Sequence, residues 1–96
     1  MADVLIATAA EEDYTEALSW YAERSEHAAR GFEAEFERAI QAIQTDPQRF
    51  PFCDGSHRFF LMRRYPFQVI YRETSGALLI VAVAHGKRLP GYWRGR

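Results

Sequence analysis

The stretch Arg58-Phe59-Phe60-Leu61-Met62-Arg63-Arg64-Tyr65-Pro66-Phe67-Gln68-Val69-Ile70-Tyr71-Arg72, followed by Ala77-Leu78-Leu79-Ile80-Val81-Ala82-Val83-Ala84, decides the fold. Its side chains change character every second residue, the period of a strand. Arg58 to Arg64 reads as a strand with Phe60 and Met62 on one side and Phe59 and Leu61 on the other. Tyr65-Pro66 makes the connection, Phe67 to Arg72 is the partner strand, and Thr74-Ser75-Gly76 is a turn. The run Ala77 to Ala84 does not alternate at all, which places it centrally in the sheet with both faces covered.

Upstream the period is helical. Tyr14, Ala17, Leu18 and Tyr21 fall on one apolar face, and Phe32, Phe36, Ala39, Ile40 and Ile43 repeat the spacing after a polar break at Arg24-Ser25-Glu26-His27. Val4-Leu5-Ile6 is a short β-prone run, and Thr8-Ala9-Ala10-Glu11 fits a capping box that starts the first helix. Asp46-Pro47 stops the second, because proline cannot continue the ladder. The expected fold is α+β in the order β-α-α-β-β-β, an antiparallel helical hairpin packed on one face of a small, mainly antiparallel sheet. Ninety-six residues suit one domain, residues 1–96. The loop of residues 47–57 is too short for a boundary.

Charge is sorted along the chain. Residues 1–56 carry four Lys/Arg against twelve Asp/Glu, and residues 57–96 carry eight against one. The total of −1 therefore conceals halves of −8 and +7. Cations on strands, interleaved with aromatics, suit a phosphate-bearing or acidic partner, since guanidinium grips phosphate bidentately and aromatic rings stack on bases. The candidate binding residues are Arg58, Arg63, Arg72, Lys87, Arg88, Trp93 and Arg94. The acidic runs Glu11-Glu12-Asp13 and Glu33 to Glu37 read as solvated helix faces and are assigned no chemistry.

Other classes find no support. His27, His57 and His85 lie in separate segments without tetrahedral ligand spacing, so no metal is expected. No glycine-rich phosphate loop and no nucleophile on a tight elbow occur, and no cofactor is expected. Cys53, the one cysteine, reads as a small apolar filler. The longest uncharged apolar run, Ala77 to Ala84, is far below the roughly 20 residues of a membrane helix. With no signal-like N-terminus, the expectation is a soluble cytoplasmic protein without membrane contact.

The element order, Ala17-Leu18-Ser19-Trp20-Tyr21, the Phe32-Glu33-Ala34-Glu35-Phe36 helix, Pro47 with Phe50-Pro51, the Arg64 to Tyr71 hairpin and the ending Ala82-Val83-Ala84-His85-Gly86-Lys87-Arg88-Leu89-Pro90-Gly91-Tyr92-Trp93 together resemble the RelE/ParE superfamily of toxins. The resemblance spans nearly the whole chain. It implies a growth-inhibiting component of a type II toxin–antitoxin module, of the plasmid-stabilisation kind, held silent by a cognate antitoxin. Its target is then either DNA gyrase or the ribosome with its mRNA.

In nuclease members the resemblance places lysines on the first strand after the helices and an arginine on the next. Those positions hold Phe59, Leu61 and Gln68 here. Arg88 and Tyr92 keep the family's basic and aromatic positions after the last strand, and with His85 as general acid or base they are the catalytic candidates if the chain is a nuclease. Arg58 and Arg63 stand one position away, on the opposite side of the strand. The reading favours a ParE-like toxin acting on a protein target. A ribosome-dependent, metal-independent mRNA endonuclease is the alternative, and a non-toxic RNA-binding accessory domain the third.

Overall fold

Two helical segments that each bury one stripe of apolar side chains must share a cover, and the sheet supplies it. The computed structural model describes residues 3–96. The elements are β1 (Asp3–Ile6), α1 (Thr8–Arg24), α2 (Glu26–Thr45), β2 (Arg58–Leu61), β3 (Phe67–Thr74) and β4 (Ala77–His85), in the expected order. The strands lie side by side as β1-β4-β3-β2, with β1 parallel to β4 and the other two pairs antiparallel. β4 is thus central along its first half, as its unbroken apolar run predicted.

The helices cover one face. Phe32, fully buried on α2, meets Tyr14 and Tyr21 of α1 at 5.5 Å and Phe67 of β3 at 5.3 Å between ring centroids. Tyr65 completes this aromatic knot: it packs edge-on to Phe32 and Tyr21, and its hydroxyl donates to the Ala28 carbonyl at 2.7 Å. α2 passes this point so closely that a Cβ on Gly31 would collide with the Tyr65 hydroxyl. Further along, the Tyr71 hydroxyl donates to the Pro47 carbonyl at 2.6 Å and holds the chain where α2 ends.

The opposite face of the sheet has its own small core of Ile70, Val81, Ala82, Ala84 and Trp93, with Cys53, Phe59, Leu79 and Tyr92 against it. A β-bulge makes both cores possible. Ile70 pairs with Ala82 but Tyr71 pairs with Ile80, so Val81 is an extra residue in β4. The added residue shifts the alternation by one, sending Leu78, Ile80 and Val83 to the helix side and Val81, Ala82 and Ala84 to the other.

Three local expectations are revised. The capping box does not form: Ala7 is the N-cap of α1 with no side-chain cap, because its amide continues the strand ladder to Ile80 O at 2.9 Å and starts the helix one residue earlier. The expected four-residue break between the helices shrinks to Ser25, whose hydroxyl accepts from the Ala28 amide at 3.2 Å. The strand expected over Arg58 to Arg64 ends at Leu61, where Glu35 reaches the backbone from α2. No helix among the described residues is long and apolar enough to cross a membrane.

Gly31→Ala should therefore destabilise the protein despite a helix-propensity gain of about 1 kcal/mol, since Tyr65 cannot retreat from its two aromatic neighbours, Tyr21 and Phe32, without overpacking. We expect a net loss of about 1–2 kcal/mol, read as a lower urea midpoint with unchanged m-value.

Candidate functional site: a carboxylate at the open edge of the sheet

β1 stops at Ile6, opposite Ile80, and leaves the rest of β4 without a neighbouring strand on that side. Bare edge amides and carbonyls must find other partners. Asp13, one and a half turns into α1 and almost fully buried, supplies one of them: its Oδ2 accepts from the Val83 amide at 3.1 Å. The same oxygen accepts from the Tyr92 hydroxyl at 3.1 Å and from Arg96 Nη1 at 2.9 Å. Arg96 Nη1 also donates to the Val81 carbonyl at 3.0 Å, so carboxylate and guanidinium together cap the edge where a strand is missing. Arg88 Nη1 lies 3.7 Å from Asp13 Oδ1, and its guanidinium sits 3.8 Å from the centre of the Tyr92 ring.

This network organises the C-terminal segment. Gly91 turns it at φ 80°, a left-handed conformation that glycine reaches without strain. Trp93 then inserts into the back-face core, 94% buried and edge-on to His57 at 5.0 Å. Trp93 is therefore a core residue, and the expectation of an exposed binding ring is corrected: the residue types that suggested base stacking also suit sealing a small core. The Arg72 Nε donates to the Arg96 backbone carbonyl at 3.4 Å, and Arg94 Nε lies 4.0 Å from Asp54.

Of the residues singled out from the sequence, His85, Arg88 and Tyr92 come together at one end of the sheet. His85 packs on Phe67 at 5.0 Å, and its Nδ1 accepts from the Lys87 amide at 2.9 Å. His85 and Arg88 line a groove of about 400 Å³ with Asp13, Trp20, Tyr21 and Phe67. The remaining cations do not join them. Arg58 donates to the carbonyls of Gln48 and Phe50 and covers the Phe52 ring at 3.9 Å, while Arg63 lies past the end of β2 against α2. The positive half is thus dispersed over both ends of the sheet, and Arg58, Arg72, Arg88, Arg94 and Arg96 have partners on the same chain. Lys87 is left exposed.

The acidic helix faces are not uniformly solvated either. Asp13 and Glu35 are buried, and both take sheet or hairpin amides: Glu35 Oε1 accepts from Arg63 N at 3.1 Å and Arg64 N at 3.4 Å. The sequence held a signal for both. Asp13 falls between Ala10 and Ala17, and Glu35 between Phe32 and Ala39, each three residues after one buried apolar position and four before another. A carboxylate inside an apolar stripe has to be met by donors from the element the stripe faces. On the other face, the Ser56 amide, followed by the His57 amide and ring, holds the Asp54 carboxyl below the usual carboxylate range, and burial pushes the Cys53 thiol up. Among the described residues no group of His, Cys, Asp and Glu has the arrangement of a metal site.

Two predictions follow from Asp13. Asp13→Ala strands the Val83 amide and the Arg96 guanidinium, and should cost about 3 kcal/mol by thermal unfolding, with the Trp93 emission shifted to the red as the C-terminal segment loosens. Burial, reinforced by the Asp13 charge, pushes the Tyr92 hydroxyl up to about 12, and burial does the same for Tyr71. A phenol bound more tightly to its proton when folded contributes stability that is complete below the unfolded value near 10.0 and is lost as pH rises towards about 12. Stability should fall across that window, and a 295 nm titration should lose its late-titrating phase in a Tyr71→Phe/Tyr92→Phe double variant.

The same fold occurs in a solved structure described as the chromosomal ParDE TA system from P. aeruginosa, with a TM-score of 0.77 over 88% of this chain and 96% of that one, at 15% identity. No curated protein matches the sequence. The family model described as the ParE toxin of the type II toxin-antitoxin system parDE matches residues 4–90, which include both helices, the four strands but for Asp3, and the His85–Arg88 end of the sheet. A match of that extent makes the chain a member of the ParE toxin family of type II toxin–antitoxin systems.

Proposed function

We propose that this ParE-family protein inhibits growth by acting on a protein target, DNA gyrase, and that a cognate antitoxin encoded with it keeps it silent. The observation that carries this reading is the chemistry of the sheet face away from the helices. Phe59, Leu61 and Gln68 occupy the strand positions where a nuclease of the superfamily would need cations; Phe59 pairs with Ile70 and Leu61 with Gln68. Nothing on that stretch can neutralise a scissile phosphate or help to activate a ribose hydroxyl. The neighbouring arginines do not compensate. Arg58 points to the loop after α2, where two carbonyls and the Phe52 ring engage it.

The remaining candidates are engaged in ways that suit structure. Tyr92 donates its proton to Asp13, and its hydroxyl is pushed up to about 12, far from the range of a base at neutral pH. Arg88 is held between that ring and Asp13. The surface around them carries Lys87, the exposed Leu89 and the partly covered groove with Trp20 and Phe67, a mixture of charge and apolar area that suits protein recognition. Gyrase and the antitoxin would both be met in the cytoplasm, and a toxin with its antidote in one module would stabilise a plasmid that carried it.

Induced expression should arrest growth with an SOS-type DNA-damage response while translation continues, and co-expression of the neighbouring antitoxin should restore growth. Purified protein should leave ribosome-bound mRNA intact. Codon-specific cleavage that disappears in His85→Ala or Arg88→Ala would overturn the gyrase reading and make the chain an endonuclease.

A further inference from the structure

Among the described residues, the cations whose side chains make neither an ion pair nor a hydrogen bond gather, Lys87 apart, away from the Asp13 network. Arg38, Arg49, Arg63 and Arg64 line a groove of about 670 Å³ between α2 and the β2–β3 hairpin, with Phe50 and Phe60 in its floor. We propose that this groove binds the phosphodiester backbone of duplex nucleic acid.

The fold concentrates these guanidiniums by sorting the charges of α2. Glu35, Arg38 and Ala42 lie along the groove, whereas Glu33 and Glu37 sit close enough to Tyr14 of α1 to act on its hydroxyl, on another side of the helix. Glu35 is the one carboxylate in the groove, and it is buried and spent on the amides of Arg63 and Arg64. It fixes the backbone of the hairpin's turn and leaves both side chains exposed. Among the described residues, Arg38, Arg63 and Arg64 make no ion pair or hydrogen bond through their guanidiniums, and Arg49 has only the Phe50 ring, at 5.6 Å. Four planar donors around one groove, against one internally satisfied acid, call for an anion with several regularly spaced charges.

A polynucleotide backbone meets that requirement. The floor favours duplex over single strand. Phe50 and Phe60 are packed edge to face at 5.2 Å and are partly buried, which commits part of their ring surface to each other rather than to an unpaired base. This inference does not depend on the target of the toxin: a gyrase poison and a nuclease would carry the groove equally.

Each guanidinium that neutralises a duplex phosphate contributes about −0.9 to the slope of log affinity against log salt. Fluorescence anisotropy with a labelled random-sequence duplex, between about 50 and 200 mM salt, should give a slope steeper than about −2.7 for the wild-type chain. Arg38→Ala/Arg63→Ala/Arg64→Ala should weaken binding at least about tenfold at the lowest salt and flatten the slope by about 2.7. Arg38→Lys/Arg63→Lys/Arg64→Lys should keep most of the slope, and thermal unfolding of both variants should match the wild type. The proposal fails if the wild type does not bind, or if the alanine variant binds with unchanged slope. It also fails if inorganic pyrophosphate displaces the duplex at equal phosphate concentration, which would make this a small-phosphate site. Polyglutamate competing as well as unlabelled duplex would overturn it in favour of an acidic protein partner.

Discussion

One buried carboxylate holds together the parts of this molecule that differ most in origin. Asp13 belongs to the first helix, yet its oxygens are met by an amide of the last strand, a hydroxyl of the C-terminal turn and the guanidinium of the last residue. The need arises from a mismatch in length: β1 pairs with only four residues of β4, and the strand continues for five more. An unpaired edge inside a folded protein either recruits another chain or must be capped from within. Here a carboxylate takes the amide and an arginine takes the carbonyl, and their mutual attraction reduces the desolvation that each would suffer alone.

That arrangement determines what the positive half of the sequence can do. A cation count suggests one continuous electropositive face, but Arg96 turns inward to Asp13, half-exposed Arg88 lies over the Tyr92 ring beside the same carboxylate, and Arg58 and Arg72 are engaged by backbone carbonyls. Apart from Lys87, the cations that remain free among the described residues lie at the junction of α2 with the hairpin. Two buried acids thus act in opposite senses. Asp13 binds guanidiniums and closes one end of the sheet, while Glu35 binds only backbone amides and leaves the side chains of Arg63 and Arg64 outside.

The C-terminal segment is part of the fold for the same reason. Trp93 closes a second core on the face that the helices do not reach, and Arg96 locks it to both the edge and the first helix. The groove beside His85 and the lack of cations at Phe59, Leu61 and Gln68 are the features on which the proposed protein target rests.

The order of elements, the helical hairpin, the central position of β4 and the faces of Phe59, Phe60, Leu61 and Met62 were legible in the order of residues alone. Each of these follows from local periodicity and from residues such as Pro47 that act on the backbone within a turn or two. The sequence also carried the toxin family, through a run of short motifs in fixed order. Only the tertiary structure decided which charges are free. Asp13 meets Val83 and Arg96 across separations of 70 and 83 residues, and Glu35 meets Arg63 across 28. Whether a given arginine pairs, stacks or stays in solvent depends on which backbone groups the sheet leaves unsatisfied beside it. That is fixed by where β1 ends and where β4 bulges, and neither is written in the residues that respond to it.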